Sequence, residues 1–142
     1  RASAKDEIER SGCRPDFLIL AYPAISISGE YANMNVRKNL LGDEPSTELI
    51  ENLSNEKMVT PETPPTFLFH TDEDNRALPE HSVLFYMALR KAKVPAELHI
   101  FERGRHGVGL GADDPALAMW PVLCANWLRG RGLLNRPPAK AN

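Results

Sequence analysis

Residues 17–22 read FLILAY, an apolar run entered after Pro15 and closed by Pro23. The run has no polar alternation, so a strand built from it has no face suited to water. This is the pattern of a strand buried on both sides, as in a parallel sheet covered by helices. Residues 66–70 (TFLFH) repeat it after Pro64-Pro65. Residues 97–101 (ELHIF) make a third candidate, with Leu98 and Ile100 on one face and His99 and Phe101 on the other.

Helical text fills the intervals. From Pro79 the chain reads PEHSVLFYMALRKAK, and Val83, Leu84, Met87 and Ala88 fall on one face. Pro79 and Glu80 suit the first turn, and Arg90, Lys91 and Lys93 the last. Pro121 starts a final helix running to about Arg129, with Gly130 and Gly132 as stop signals. Between Met34 and Val59 a short helix runs into Leu41-Gly42 and another follows Pro45-Ser46. Residues 1–10 (RASAKDEIER) read as helix already under way, and residues 136–142 as a disordered tail. The order is strand, short helices, strand, helix, strand, loop, helix, an α/β layout with parallel strands joined by right-handed crossovers. A sheet of three strands is small, and FLILAY is too apolar for an open edge. Either the domain continues beyond this chain, or copies of the chain pair through that edge as a homo-oligomer.

Composition narrows the function. The 142 residues are 42% hydrophobic and 25% charged, with a formal net charge of −2. That balance gives no electrostatic reason to expect nucleic acid or a membrane surface as partner. Arg129, Arg131, Arg136 and Lys140 read as solvated positions near the end. No apolar run approaches the ~20 residues of a spanning helix, and no leader pattern opens the sequence. Cys13 and Cys124 form no CxxC pair, so two partly buried free thiols are expected, with a single disulfide as the alternative. The compartment stays open, a secreted or periplasmic one included.

In open parallel sheets, functional groups gather at the carboxyl ends of strands. The second strand feeds a loop containing Asp72, Glu73 and Asp74, and the third feeds a glycine-rich loop containing His106. Asp74 and His106, 32 residues apart, therefore emerge on one rim. A carboxylate there can accept from imidazole Nδ1–H, fixing the tautomer that leaves Nε2 free to take a proton. Competing chemistries fail on spacing. Arg76 and Ala77 break the calcium-loop pattern begun at Asp72. His70, His81, His99 and His106 have no zinc-site spacing, and no nucleotide-binding glycine motif is present, so no metal or cofactor is expected. His70 reads as structural or site-lining, His99 as packed or surface-facing, and His81, in the first turn of a helix, as solvated.

Three blocks in order carry a family resemblance: PPTFLFHTDED, LFYMALRKAKVPAELHIFE and GRHGVGL. Together with PDFLILAYPAIS, they make residues 13–129 resemble the C-terminal half of α/β-hydrolases related to acetyl xylan esterases. That group is similar to dienelactone hydrolases and prolyl oligopeptidase-like peptidases. The resemblance implies a partial, three-layer α/β-hydrolase fold over residues 1–135 and a carboxylic ester hydrolase acting on a small-molecule or carbohydrate ester. It implies Asp74 as triad acid and His106 as general base. The family's D-x-x-V-P segment falls on Asp74-Asn75-Arg76-Ala77-Leu78, with Ala-Leu in place of Val-Pro, and Asp72 is the alternative acid. The nucleophile of such a fold sits on G-x-S-x-G, which this sequence lacks; Ser26 and Ser28 read as loop serines. By the resemblance, the nucleophile precedes residue 1 and this chain alone is inert. A catalytically inactive fragment or oligomerisation module of the same fold, or a dienelactone hydrolase- or peptidase-like activity, is the alternative.

Overall fold

The computed structural model describes residues 12–134. The expectations for residues 1–10 and for 136–142 lie outside them. Three parallel strands, β1 (Leu18–Ala21), β2 (Thr66–Thr71) and β3 (Ala96–Phe101), form a sheet in sequential order. Leu18 pairs with Thr66 and Thr66 with Ala96, so the carboxyl ends of all three strands open on one rim.

Both short helices form where the sequence places them. α1 (Met34–Leu41) is capped by Asn33, whose side chain accepts from the Val36 amide. α2 (Thr47–Asn52) is capped by Ser46 through the Leu49 amide. Each cap satisfies an amide that the helix leaves without an internal partner. α3 (Glu80–Lys91) crosses between β2 and β3, and α4 (Trp120–Gly130) closes the fold after a 3₁₀ turn at Leu117–Met119.

Side-chain alternation divides the core into two layers. Leu68 points to the α3 side, where it packs with Ile25, Phe85, Leu89 and Val94. Phe67 and Phe69 point to the α4 side and meet Cys124 and Trp127. Every residue of β2 is buried, as expected of a central strand covered on both faces. β1 lies at the edge of the described sheet. It is only partly buried, and Ile19 is 39% exposed, because β2 is its sole strand neighbour among the described residues. Leu98 joins the α3-side core and Phe101 the α4-side core, as their alternation predicts.

The phase of α3 also departs from expectation. Its buried stripe is His81, Ser82, Phe85 and Leu89, while Met87 lies 61% exposed. Apolarity alone misplaces the stripe because its first turn buries two polar side chains with their hydrogen bonds made. His81, expected in solvent, is 1% exposed. Its Nδ1 accepts from the backbone amides of Ile25 and Ser26, at 3.3 and 3.0 Å. Both cysteines are free; Cys124 is buried, but Cys13 is exposed rather than partly buried.

Candidate active site

β2 delivers the chain to the loop at residues 72–79. The Asp74 side chain folds back on this loop in an Asx-type turn, its Oδ1 accepting from the amides of Arg76 and Ala77 at 2.9 and 3.0 Å. Only 1% of Asp74 is exposed. Its Oδ2 accepts from His106 Nδ1 at 2.7 Å. The opposing effects on this carboxyl have a clear winner. Burial favours the neutral acid, but the amides of Ala77 and Arg76 and the imidazole of His106 outweigh it, so the pKa falls below the ordinary value.

Asp74 is therefore the acid brought to His106. Asp72 is exposed and holds the two loops only through its backbone, whose amide donates to the Phe101 carbonyl. The Ala77-Leu78 pair, where the resembled pattern has Val-Pro, does not displace the Asp74 turn. Ala77 is buried and its amide donates to Asp74.

The histidine loop leaves β3 and must double back toward the Asp74 loop. Gly104 makes this approach: its φ is +130°, and a Cβ there would lie 2.8 Å from Thr71 Cγ2. The Gly104 amide donates to Glu73 Oε2 at 2.9 Å, so Glu73 clasps the two rim loops together. Farther along, the Gly109 carbonyl accepts from Trp120 Nε1, and the Trp120 ring stacks on Phe69 at 4.2 Å. Tyr22, just past β1 with φ of 39°, packs against His106 in a T-shaped contact with ring centroids 5.1 Å apart. With Nδ1–H committed to Asp74, Nε2 of His106 carries the free lone pair. The imidazole is partly exposed, so Nε2 can exchange a proton with a bound molecule.

Sequence reading missed Glu73, Tyr22 and Trp120. Glu73 passes for a solvated acid, and neither aromatic sits in a chemical motif. His70, read as structural or site-lining, is fully buried within hydrogen-bonding distance of Ser82 and Ala77. Ser26 is buried and bonded to Glu56 and to the Ser28 carbonyl, and Ser54 donates to the Ser28 hydroxyl. Among the described residues, no cluster of His, Cys, Asp and Glu could hold a metal ion, and no helix is long and apolar enough to cross a membrane.

A cleft of about 370 Å³ opens beside His106. Its lining combines Asn33, Asn35, Asn75 and Arg76 with the small apolar side chains of Ala24, Val36 and Ala77. A second groove, lined by Leu18, Leu20, Ile25, Val59 and Phe85 among others, does not reach His106.

Known proteins resemble this chain. Endo-1,4-beta-xylanase B of Butyrivibrio fibrisolvens is 41% identical over 101 residues, which is 71% of this chain and 16% of that protein. The acetylxylan esterase of Xylanibacter ruminicola is 31% identical over 102 residues, 69% of this chain and 21% of that one. The crystal structure of an acetyl ester-xyloside bifunctional hydrolase from Caldicellulosiruptor lactoaceticus superposes with a TM-score of 0.91 at 44% identity. That match covers 95% of this chain and 49% of the other, so the chain spans about half the solved relative and much less of the curated ones. The prolyl oligopeptidase family model matches residues 25–118, well over half of the chain and including both Asp74 and His106. The chain belongs to the prolyl oligopeptidase family and has the α/β-hydrolase fold.

Proposed function

We propose that the protein to which this chain belongs is a serine-type carboxylic ester hydrolase, and that Asp74 and His106 are two members of its catalytic triad. The observation that carries this reading is the 2.7 Å bond from His106 Nδ1 to an Asp74 carboxylate already held by two backbone amides. In the proposed cycle a serine hydroxyl attacks the ester carbonyl carbon and gives its proton to His106 Nε2. The protonated imidazole then donates that proton to the departing alcohol. Water repeats the sequence on the acyl-enzyme and releases the acid. Asp74 keeps Nδ1 protonated and stabilises the imidazolium formed in each half.

The serine lies upstream of this chain in our reading. The sequence contains no G-x-S-x-G, and Ser26, the first serine after β1, is buried in a hydrogen-bond network of its own. Spanning 49% of the solved relative leaves room for the nucleophile and the oxyanion hole elsewhere. This chain alone is then hydrolytically inert. The substrate we assign is an acetylated carbohydrate such as xylan. The cleft beside His106 offers amide and guanidinium groups suited to sugar hydroxyls, and the named relatives include an acetylxylan esterase.

Treating the full-length protein with a fluorophosphonate and mapping the modified peptide tests the assignment. A single modified serine upstream of residue 1, with loss of acetate release from acetylated xylo-oligosaccharides, is expected. Full acetate release after treatment, or a modified serine within residues 1–142, overturns it.

The outer edge of β1, unpaired among the described residues and with Ile19 39% exposed, favours a second reading: an inactive module that pairs through that edge. Size-exclusion chromatography and an esterase assay on this chain alone separate the two. An inert dimer supports pairing, and an active monomer removes both readings.

A further inference from the structure

His70 is wholly buried at the end of β2, where an apolar residue would serve the core more simply. Its Nε2 lies 2.7 Å from the Ala77 carbonyl and 3.3 Å from Asp74 Oδ2. Its Nδ1 lies 2.7 Å from Ser82 Oγ. A carbonyl oxygen only accepts, so Nε2 carries the hydrogen. In the neutral ring Nδ1 is then an acceptor, and the Ser82 hydroxyl donates to it. Burial lowers the pKa of this imidazole more than the Ala77 carbonyl and Asp74 raise it, which favours the neutral ring.

The arrangement encloses the Asp74 turn from beneath. The peptide groups of Ala77 are gripped at both ends: its amide donates to Asp74 Oδ1 and its carbonyl accepts from His70. The carboxylate has amides on Oδ1, while Oδ2 faces the two imidazoles. The Ala77 carbonyl sets the tautomer of His70, and Ser82, from the first turn of α3, anchors the ring from the crossover helix by donating to Nδ1.

We propose that His70, held by Ser82, is a positioning residue for the catalytic acid: its Nε2–H fixes the Ala77 carbonyl and the Oδ2 side of Asp74 so that the carboxylate meets His106 in register. This rests on the triad reading above and adds a residue two bonds removed from the reacting atoms. His70 touches neither substrate nor nucleophile. Losing it shifts Asp74 by a fraction of the hydrogen-bond length, and misplacement near 1 Å costs about 10²-fold in turnover.

The test uses the full-length protein and four variants, His70→Leu, His70→Gln, Ser82→Ala and Asp74→Ala, assayed on an aryl acetate and followed by thermal melting. The low-field Nδ1–H proton resonance of His106 reports the Asp–His bond directly. In His70→Leu, kcat is expected to fall about 10²-fold with KM nearly unchanged and that resonance lost or broadened. His70→Gln restores a donor near the Nε2 position and recovers part of kcat and the resonance, and Ser82→Ala gives a smaller loss of the same kind. If His70→Leu does not fold, the Gln and Ala variants decide the matter through the same two readouts. Wild-type kcat in the folded His70 and Ser82 variants, with Asp74→Ala crippled, overturns this inference and leaves the triad standing. Wild-type kcat in Asp74→Ala overturns the triad reading, and the role of His70 with it.

Discussion

Replacing Asp74 with asparagine separates the chemistry of the carboxylate from its architecture. The two amides on Oδ1 find the same acceptor in an asparagine carbonyl, so the Asx-type turn and the loop path survive. The change falls on Oδ2, which becomes an NH₂ group 2.7 Å from His106 Nδ1. Two donors cannot face each other, so the imidazole moves its hydrogen to Nε2 and offers Nδ1 as acceptor. In that tautomer Nε2 cannot take the nucleophile's proton. Triads with this defect lose about 10⁴ in kcat, which is about 5.5 kcal/mol of transition-state stabilisation. The same NH₂ group also meets the Nε2–H of His70, at 3.3 Å. Loss of the charge-assisted bond should lower stability by about 1–3 kcal/mol, small beside the catalytic effect. The assay is steady-state turnover of p-nitrophenyl acetate by the full-length protein, with circular dichroism to establish folding. KM should change little, because ground-state binding does not use the imidazole proton. A folded Asp74→Asn enzyme within tenfold of wild-type kcat would refute the assignment of the acid.

Two further outcomes follow from the loops and from the buried imidazoles. Gly104→Ala forces a side chain into φ of +130° with its Cβ 2.8 Å from Thr71 Cγ2; it should cost about 1–3 kcal/mol in a denaturant titration and lower kcat by shifting His106, whereas unchanged values would mean the loop accommodates it freely. His70 and His81 both have pKa values lowered by burial, so the unfolded chain binds protons first as pH falls below about 6.5; stability is full above that value and declines by about 1.4 kcal/mol per pH unit for each proton taken up. Urea midpoints between pH 7.5 and 5 should show this slope, and His81→Asn, whose carbonyl can still accept from Ile25 and Ser26, should flatten it; a flat wild-type profile would contradict the buried neutral rings.

The rim geometry was legible in the sequence because strand direction alone fixes it. Once residues 66–70 and 97–101 are parallel neighbours, the loops bearing Asp74 and His106 must leave by the same edge. The resemblance points to Asp74 over Asp72, and the turn adds a geometric reason: the carboxylate two residues before Arg76 accepts both amides. Glu73 lies beyond pattern reading for a related reason. Its carboxylate bonds a glycine amide 31 residues later, and nothing local distinguishes it from a solvated acid.

The misread phase of α3 and the misread burial of His81 have one physical origin. Hydrophobic periodicity assumes that the inward stripe is the apolar one, and for most of a helix that holds because an unbonded polar group inside costs more than it gains. At the carboxyl rim the balance changes, since strands end there and leave backbone amides and carbonyls without ladder partners. His81 satisfies the amides of Ile25 and Ser26 beyond β1, and Ser82 serves His70 at the end of β2. The polar residues that spoil the helical pattern are thus those that hold the ends of two strands in place. A sheet that presents functional groups at its rim needs such residues beneath them, and its first crossover turn is where apolar patterning is least informative.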